Sequence, residues 1–255
     1  MPKYGMVIDL QKCVGCGACA IACKTENNTQ DRTDGQTFNW ADYLIEVQGR
    51  FPDILYVNRP VLCNHCSKPT CVEVCPVTPK AMYKSDDNIT MHNAERCIGC
   101  RLCQMNCPYS VQDVDSDGAQ YSVISFNDFG KQTQPFFRDT EELIPGCTSS
   151  GAEVARAAGE TPPHRTRYKH SDCLDVREAG IVEKCLFCSH RVRVGETPYC
   201  VEACPSQARV FGDLDDPGSQ VNILLKRYKA TVLKPEAGTQ PNVYYIRDFQ
   251  PKRKG

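Results

Sequence analysis

Apolar positions along the chain come in short bursts rather than long waves. Runs of β-type character cover Tyr4 to Leu10, Ile54 to Leu62 and Asn88 to His92, each a few residues long and each ending in a polar or cysteine-bearing loop. A short helical turn is expected after the third cysteine of each cysteine group, as where Ala18, Ala20 and Ala22 favour helix. Residues 111 to 180 break the rhythm. Gly, Pro, Ser, Thr and charge dominate there without a sustained period, so the stretch reads as a long surface insertion with one short helix near Ala152 to Ala158. Further on, Asp216-Pro217 reads as a helix start with aspartate as N-cap, the helix running to about Tyr228. Val243 to Ile246 adds a last strand, and Pro251 to Gly255 a basic, frayed tail. No apolar run approaches the ~18 residues of a membrane span.

Composition changes the picture through cysteine. The chain has 255 residues, enough for one large domain or two small ones, and 18 of them are cysteine. Disulfide scaffolds reach such density mainly in short secreted domains, and here the cysteines are bunched. The first group is Cys13, Cys16, Cys19 and Cys23; the second is Cys63, Cys66, Cys71 and Cys75. The third is Cys97, Cys100, Cys103 and Cys107, and the fourth is Cys185, Cys188, Cys200 and Cys204. Proline follows the last cysteine of the second, third and fourth groups. The repeat points to duplication of a small metal-binding unit.

Three thiolates spaced by two residues wrap a tight loop around three irons of a [4Fe-4S] cubane. Small intervening residues let backbone N–H groups approach the sulfides, and the fourth cysteine leads away to ligate a neighbouring cluster. Structural zinc takes two short pairs a dozen or more residues apart. Only the fourth group could pass for that, so a zinc-stapled interaction protein is the weaker reading. The strand–loop–helix unit around each motif is that of a bacterial ferredoxin half. The fold expected is therefore α+β, with two ferredoxin-like two-cluster domains.

Separation along the chain pairs the motifs. Between Cys75 and Cys97 lie 21 residues, against 39 between the first two motifs and 77 between the last two. Motifs two and three therefore pair, leaving one and four to meet across them. With the fourth-cysteine exchange, the expected sets are Cys13, Cys16, Cys19 and Cys204; Cys23, Cys185, Cys188 and Cys200; Cys63, Cys66, Cys71 and Cys107; and Cys75, Cys97, Cys100 and Cys103. The domains become residues 1–50 with 181–255, an inserted domain at 51–112, and a surface insertion at 113–180.

A formal net charge of -1 excludes a basic field for nucleic acid. Four oxidised clusters on thiolates would take it to about -9, which Lys12, Lys24, Arg96, Arg101, Lys184 and Arg191 beside the motifs are candidates to offset. No cysteine is missing from a motif, so His65 and His190 are expected beside the clusters or in solvent rather than as ligands. Trp40 reads as packing. Cys147 and Cys173 lie outside every motif, either as two unrelated thiols or as a disulfide worth roughly 3.5 kcal/mol in loop entropy.

The motif order, with four residues between Cys66 and Cys71 and eleven between Cys188 and Cys200, resembles the iron–sulfur subunits of the dimethyl sulfoxide reductase family. The strings Met6-Val7-Ile8-Asp9, Cys63-Asn64-His65-Cys66, Cys107-Pro108-Tyr109, Gly212-Asp213-Leu214-Asp215-Asp216-Pro217 and Leu233 to Gly238 reinforce the likeness, which spans most of the chain outside the insertion. It is strongest to subunits serving polysulfide, thiosulfate, tetrathionate and respiratory arsenate reductases. The resemblance implies electron transfer without catalysis on substrate, a molybdenum or tungsten pterin catalytic subunit, and a quinone-reactive membrane subunit. It places the motif one and four pair nearer the catalytic subunit. Some relatives carry tryptophan at the position of Cys100 and hold a three-iron cluster there, so Cys100 implies a fourth cubane. The chain departs from the pattern in the dozen residues before Ile124-Ser125-Phe126-Asn127, and in lacking the terminal membrane helix of formate dehydrogenase relatives. With Cys13 too early for a signal peptide, export folded beside a twin-arginine partner to the outer face of the membrane is expected, the cytoplasmic face being the alternative. A free polyferredoxin is the competing function.

Overall fold

A computed structural model describes residues 1–29, 39–110, 113–114, 120–129, 142, 144–160 and 178–249. The architecture is α+β, with short helices among several small sheets. Strand β1 (Tyr4–Asp9) is the centre of the largest sheet, and Met6, Val7 and Ile8 are wholly buried because both of its faces are covered. After the first cysteine loop comes helix α1 (Ala18–Asn27), which starts past the left-handed Gly17 and stops at the left-handed Asn28. The ribbon β2 (Ala41–Arg50) and β3 (Asp53–Leu62) pairs in continuous antiparallel register from Ala41↔Leu62 to Arg50↔Asp53. Next are α2 (Thr70–Glu73), the hairpin β4 (Met82–Lys84) and β5 (Thr90–His92), and α3 (Leu102–Met105).

Short strands β6 (Asp113–Val114) and β7 (Gln120–Tyr121) pair with each other. Strand β8 (Ile124–Phe126) then pairs with β9 (Val182–Lys184), tying the segment after the third motif to the one before the fourth. Helix α4 (Gly151–Ala157) lies between them in sequence. Its start is fixed by a capping box, Ser150 and Glu153 each accepting from the other's backbone. Helices α5 (Ser189–Val192) and α6 (Tyr199–Glu202), strand β10 (Arg209–Asp213), helix α7 (Gln220–Arg227), and strands β11 (Ala230–Thr231) and β12 (Val243–Ile246) complete the order.

The main sheet runs β10-β1-β12-β11, so both ends of the chain build it. β1 pairs antiparallel with β10 and parallel with β12. Helix α7 covers one face, where Val221 meets Val7 and Ile246 in a small core. The other face joins the large core, which takes in Met6, Ile8, Trp40, Leu62, Met91, Phe187, Tyr245 and half of the sixteen motif cysteines.

The expected strands at Tyr4, Ile54 and Val243 stand within a residue of their places, and the one from Asn88 begins at Thr90 because Asn88 turns with φ 63°. The C-terminal helix corrects the sequence reading. Asp216 spends its carboxylate on the Gly218 N–H, 2.8 Å away, in a local turn. Ser219 is the N-cap, and the helix starts at Gln220. The tail from Pro251 lies outside the described residues. Among the described residues no helix is long and apolar enough to cross a membrane.

Candidate metal centres

The cysteine loops owe their geometry to the helices they lead into. Cys19 and Cys23 both lie on α1, while Cys71, Cys103 and Cys200 lie on α2, α3 and α6, with the last cysteine of each motif two residues past the helix end. The third and fourth cysteines of every motif are thus four residues apart, about 6 Å along a helix axis. One short helix therefore presents thiols to two adjacent sites.

The structure gathers the sixteen thiols into four quartets. Cys13, Cys16, Cys19 and Cys204 line a cavity with Tyr43, Asn58 and Arg209. Cys75, Cys97, Cys100 and Cys103 line a second with Met82 and His92. Cys23, Cys185, Cys188 and Cys200 are all buried and repel one another's ionisation. The Asn27 amide lies 3.5 Å from Cys23 Sγ and 3.8 Å from Cys188 Sγ in this group. Cys63 acts in the same way on Cys66, Cys71 and Cys107. Neighbouring quartets lie within electrostatic reach of one another in succession: Cys200 feels Cys19, Cys185 feels Cys63, and Cys71 feels Cys103.

Burial, with mutual repulsion added, raises most of these thiols. Cys66 is pushed up to about 11, and Cys103, Cys107 and Cys185 to about 12. Cys204 goes the other way. Burial opposes its ionisation, but the Ser206 hydroxyl and the N–H groups of Ala208, Arg209 and Ser206 outweigh it. Thiols held protonated by their surroundings ionise together only when bound iron supplies positive charge.

Buried polar groups beside the quartets also lack protein partners. His65 Nδ1 accepts from the Thr90 N–H at 3.1 Å, so its Nε2 carries the hydrogen, and that donor is unmatched. Both amide atoms of Asn64, and Nε and Nη2 of Arg209, are unmatched too. Gathered thiols with unmatched buried donors beside them fit a polynuclear group that brings sulfide acceptors. Among the described residues no three His, Cys, Asp or Glu side chains converge on one point as a single metal ion would require.

Of the six candidate cations, Lys184 is buried. Its Nζ donates to the Thr90 carbonyl at 2.5 Å and to that of Cys185. Arg191 is buried and pairs with Glu26, Glu196 and Glu202. Lys24 is half-buried, and Lys12, Arg96 and Arg101 are exposed. His65 is buried and stacked on Phe187 at 3.6 Å, with burial, Lys184 and Lys84 holding its pKa well below the usual histidine value. His190 pairs with Glu26 at 2.8 Å. Trp40 is core, donating to Glu183 Oε1 at 3.1 Å. Cys147 is an exposed free thiol, and Cys173 lies outside the described residues. Sequence reasoning missed Arg209 and Asn27. The local sign of Arg209 is a basic residue set directly before the apolar pair Val210-Phe211.

A family model for a 4Fe-4S dicluster domain matches residues 54–159 and 168–214, and one for a 4Fe-4S binding domain matches residues 4–25. The arsenate respiratory reductase iron–sulfur subunit of Shewanella sp. (strain ANA-3) is 44% identical over 97% of both chains. The chain belongs to the iron–sulfur subunits of the dimethyl sulfoxide reductase family. A putative dimethyl sulfoxide reductase iron–sulfur subunit of Halobacterium salinarum is 34% identical over 96% of this chain and 79% of the relative. A tetrathionate reductase subunit of Salmonella typhimurium is 30% identical over 96% of this chain and 72% of the relative. As a family member, this chain is a 4Fe-4S electron-transfer subunit of an oxidoreductase.

Proposed function

We propose that the chain relays electrons through four [4Fe-4S] clusters, between a molybdopterin catalytic subunit and a quinone-reactive membrane subunit. The observation that carries this is the succession of four thiol quartets whose two end members each keep one exposed cysteine, Cys16 and Cys100. Cys13, Cys16, Cys19 and Cys204 hold the first cluster, and Cys23, Cys185, Cys188 and Cys200 the second. Cys63, Cys66, Cys71 and Cys107 hold the third, and Cys75, Cys97, Cys100 and Cys103 the fourth. Each cluster supplies one-electron chemistry when bound. The chain's own groups bury the two middle sites and place Lys184 and His65 between them. They also leave apolar surface at each end, with Val14 and Ile21 at one and Ile98 and Met105 at the other.

The catalytic subunit docks at the first site. Tyr43 lines that cavity, and Ile45, Val47, Ile54 and Tyr56 continue its exposed face along the β2–β3 ribbon. An apolar strip of this kind favours a protein interface. The two-cluster units are residues 1–50 with 181–255, and 51–112 inserted between them. A main sheet that draws on both ends of the chain supports this division. Likeness to subunits of arsenate and tetrathionate reductases supports an arsenic or sulfur oxyanion as the terminal substrate. The complex works at the outer face of the membrane after co-export with a twin-arginine partner. Affinity purification of the tagged native protein tests the reading. A larger pterin-bearing subunit should co-elute, whereas a cluster-loaded chain that elutes alone would establish a free polyferredoxin instead. Cells lacking that partner should retain the chain in the cytoplasm.

A further inference from the structure

Arg209 sits on β10 opposite Ile8 of β1 and is 2% exposed. Its Nη1 lies 3.9 Å from Cys200 Sγ and 3.9 Å from Met6 Sδ, while Nε and Nη2 have no hydrogen-bond partner. The same side chain lines the cavity of the first quartet beside Cys13, Cys16, Cys19 and Cys204, with Cys23 of the second quartet also within electrostatic reach. Cys13 feels the same guanidinium. Cys13 and Cys19 belong to the first quartet, and Cys23 and Cys200 to the second. A single buried cation therefore faces two sites at once.

A guanidinium buried without an anion is strongly unfavourable. Thiolates and sulfides of a loaded site supply one. Reduction then adds one negative charge to a cluster, and a fixed cation in a poorly screened interior favours that more negative state. We propose that Arg209 is the shared counter-ion of the first and second cluster sites, raising the reduction potential of both together. This rests on clusters occupying both quartets.

The test is a redox titration of the anaerobically purified native complex, followed by electron paramagnetic resonance, with iron content measured on each sample. In Arg209→Gln the reduction equilibrium at two of the clusters should fall at least tenfold, about 59 mV for one electron. The other two should stay in place, and Arg209→Lys should return both towards the wild type. Full iron content with unmoved potentials overturns the proposal, as does an equal shift of all four. Should Arg209→Gln lose iron, Arg209→Met replaces it. Retention of iron by Arg209→Lys alone then supports the charge, while loss from all three variants assigns a packing role and overturns it. A wild-type complex without iron refutes the cluster reading instead.

Discussion

Gly99 stands between Cys97 and Cys100 with φ 68°, and a β-carbon added there would lie 1.9 Å from the Gly180 carbonyl oxygen and 3.0 Å from its carbon. Alanine carries two penalties at this position. The left-handed backbone costs about 1–2 kcal/mol without glycine, and forcing the loop off a fixed backbone carbonyl adds about 1–3 kcal/mol. Relief of that contact needs a displacement of roughly 1.5 Å, far beyond the ~0.2 Å tolerance of metal–ligand distances. Gly99→Ala should therefore empty the fourth site alone, about a quarter of the bound iron. Gly17→Ala is the matched control. Its φ of 74° brings the same backbone cost, but the nearest atom is Tyr43 Cε1 at 3.9 Å, so iron should be retained. Iron and labile sulfide assays on the purified complexes, with spectra of the reduced state, make the comparison. Full iron in Gly99→Ala, or equal losses in both variants, would refute the reasoning.

Cys100→Trp should remove about one iron and convert the fourth site to a three-iron cluster, seen as a new resonance in the oxidised state; an unchanged spectrum would show that Cys100 is not a ligand. Trp40→Phe deletes the bond to the buried Glu183 carboxylate, so denaturant unfolding should show a loss of about 1.5–3 kcal/mol while the cluster potentials stay fixed. Burial raises the Glu26 carboxyl, but the His190 hydrogen bond and the His190 and Arg191 charges outweigh it and hold it below its ordinary value. That folded value lies below the unfolded one, so the stabilisation is present above the carboxylate range and lost as pH falls through it. The melting-temperature advantage of the wild type over Glu26→Gln should accordingly shrink on acidification from about pH 5 to pH 3.

The motifs were legible in the sequence because ligand spacing is local: in the first and third, four cysteines within eleven residues state their chemistry without a fold. Strands β1 and β12 were legible as compact apolar runs. The β2 strand was passed over, although Tyr43, Ile45 and Val47 alternate with polar neighbours, because its apolar face points to solvent and answers to no core. At the last helix, Asp216 and Ser219 are both good caps by composition, and the Gly218 turn that decided between them is a matter of local geometry. Arg209 was illegible for a different reason. Its neighbours Met6, Cys19 and Cys23 lie nearly two hundred residues away and reach it only when β1 and β10 pair.

The most direct test of the central claim is elemental analysis of the anaerobically purified chain in its native complex, per polypeptide. Sixteen motif cysteines at four per cubane predict about sixteen irons and sixteen acid-labile sulfides, with one molybdenum or tungsten from the partner. About twelve irons or fewer in undamaged protein, or zinc in place of iron, would contradict the account.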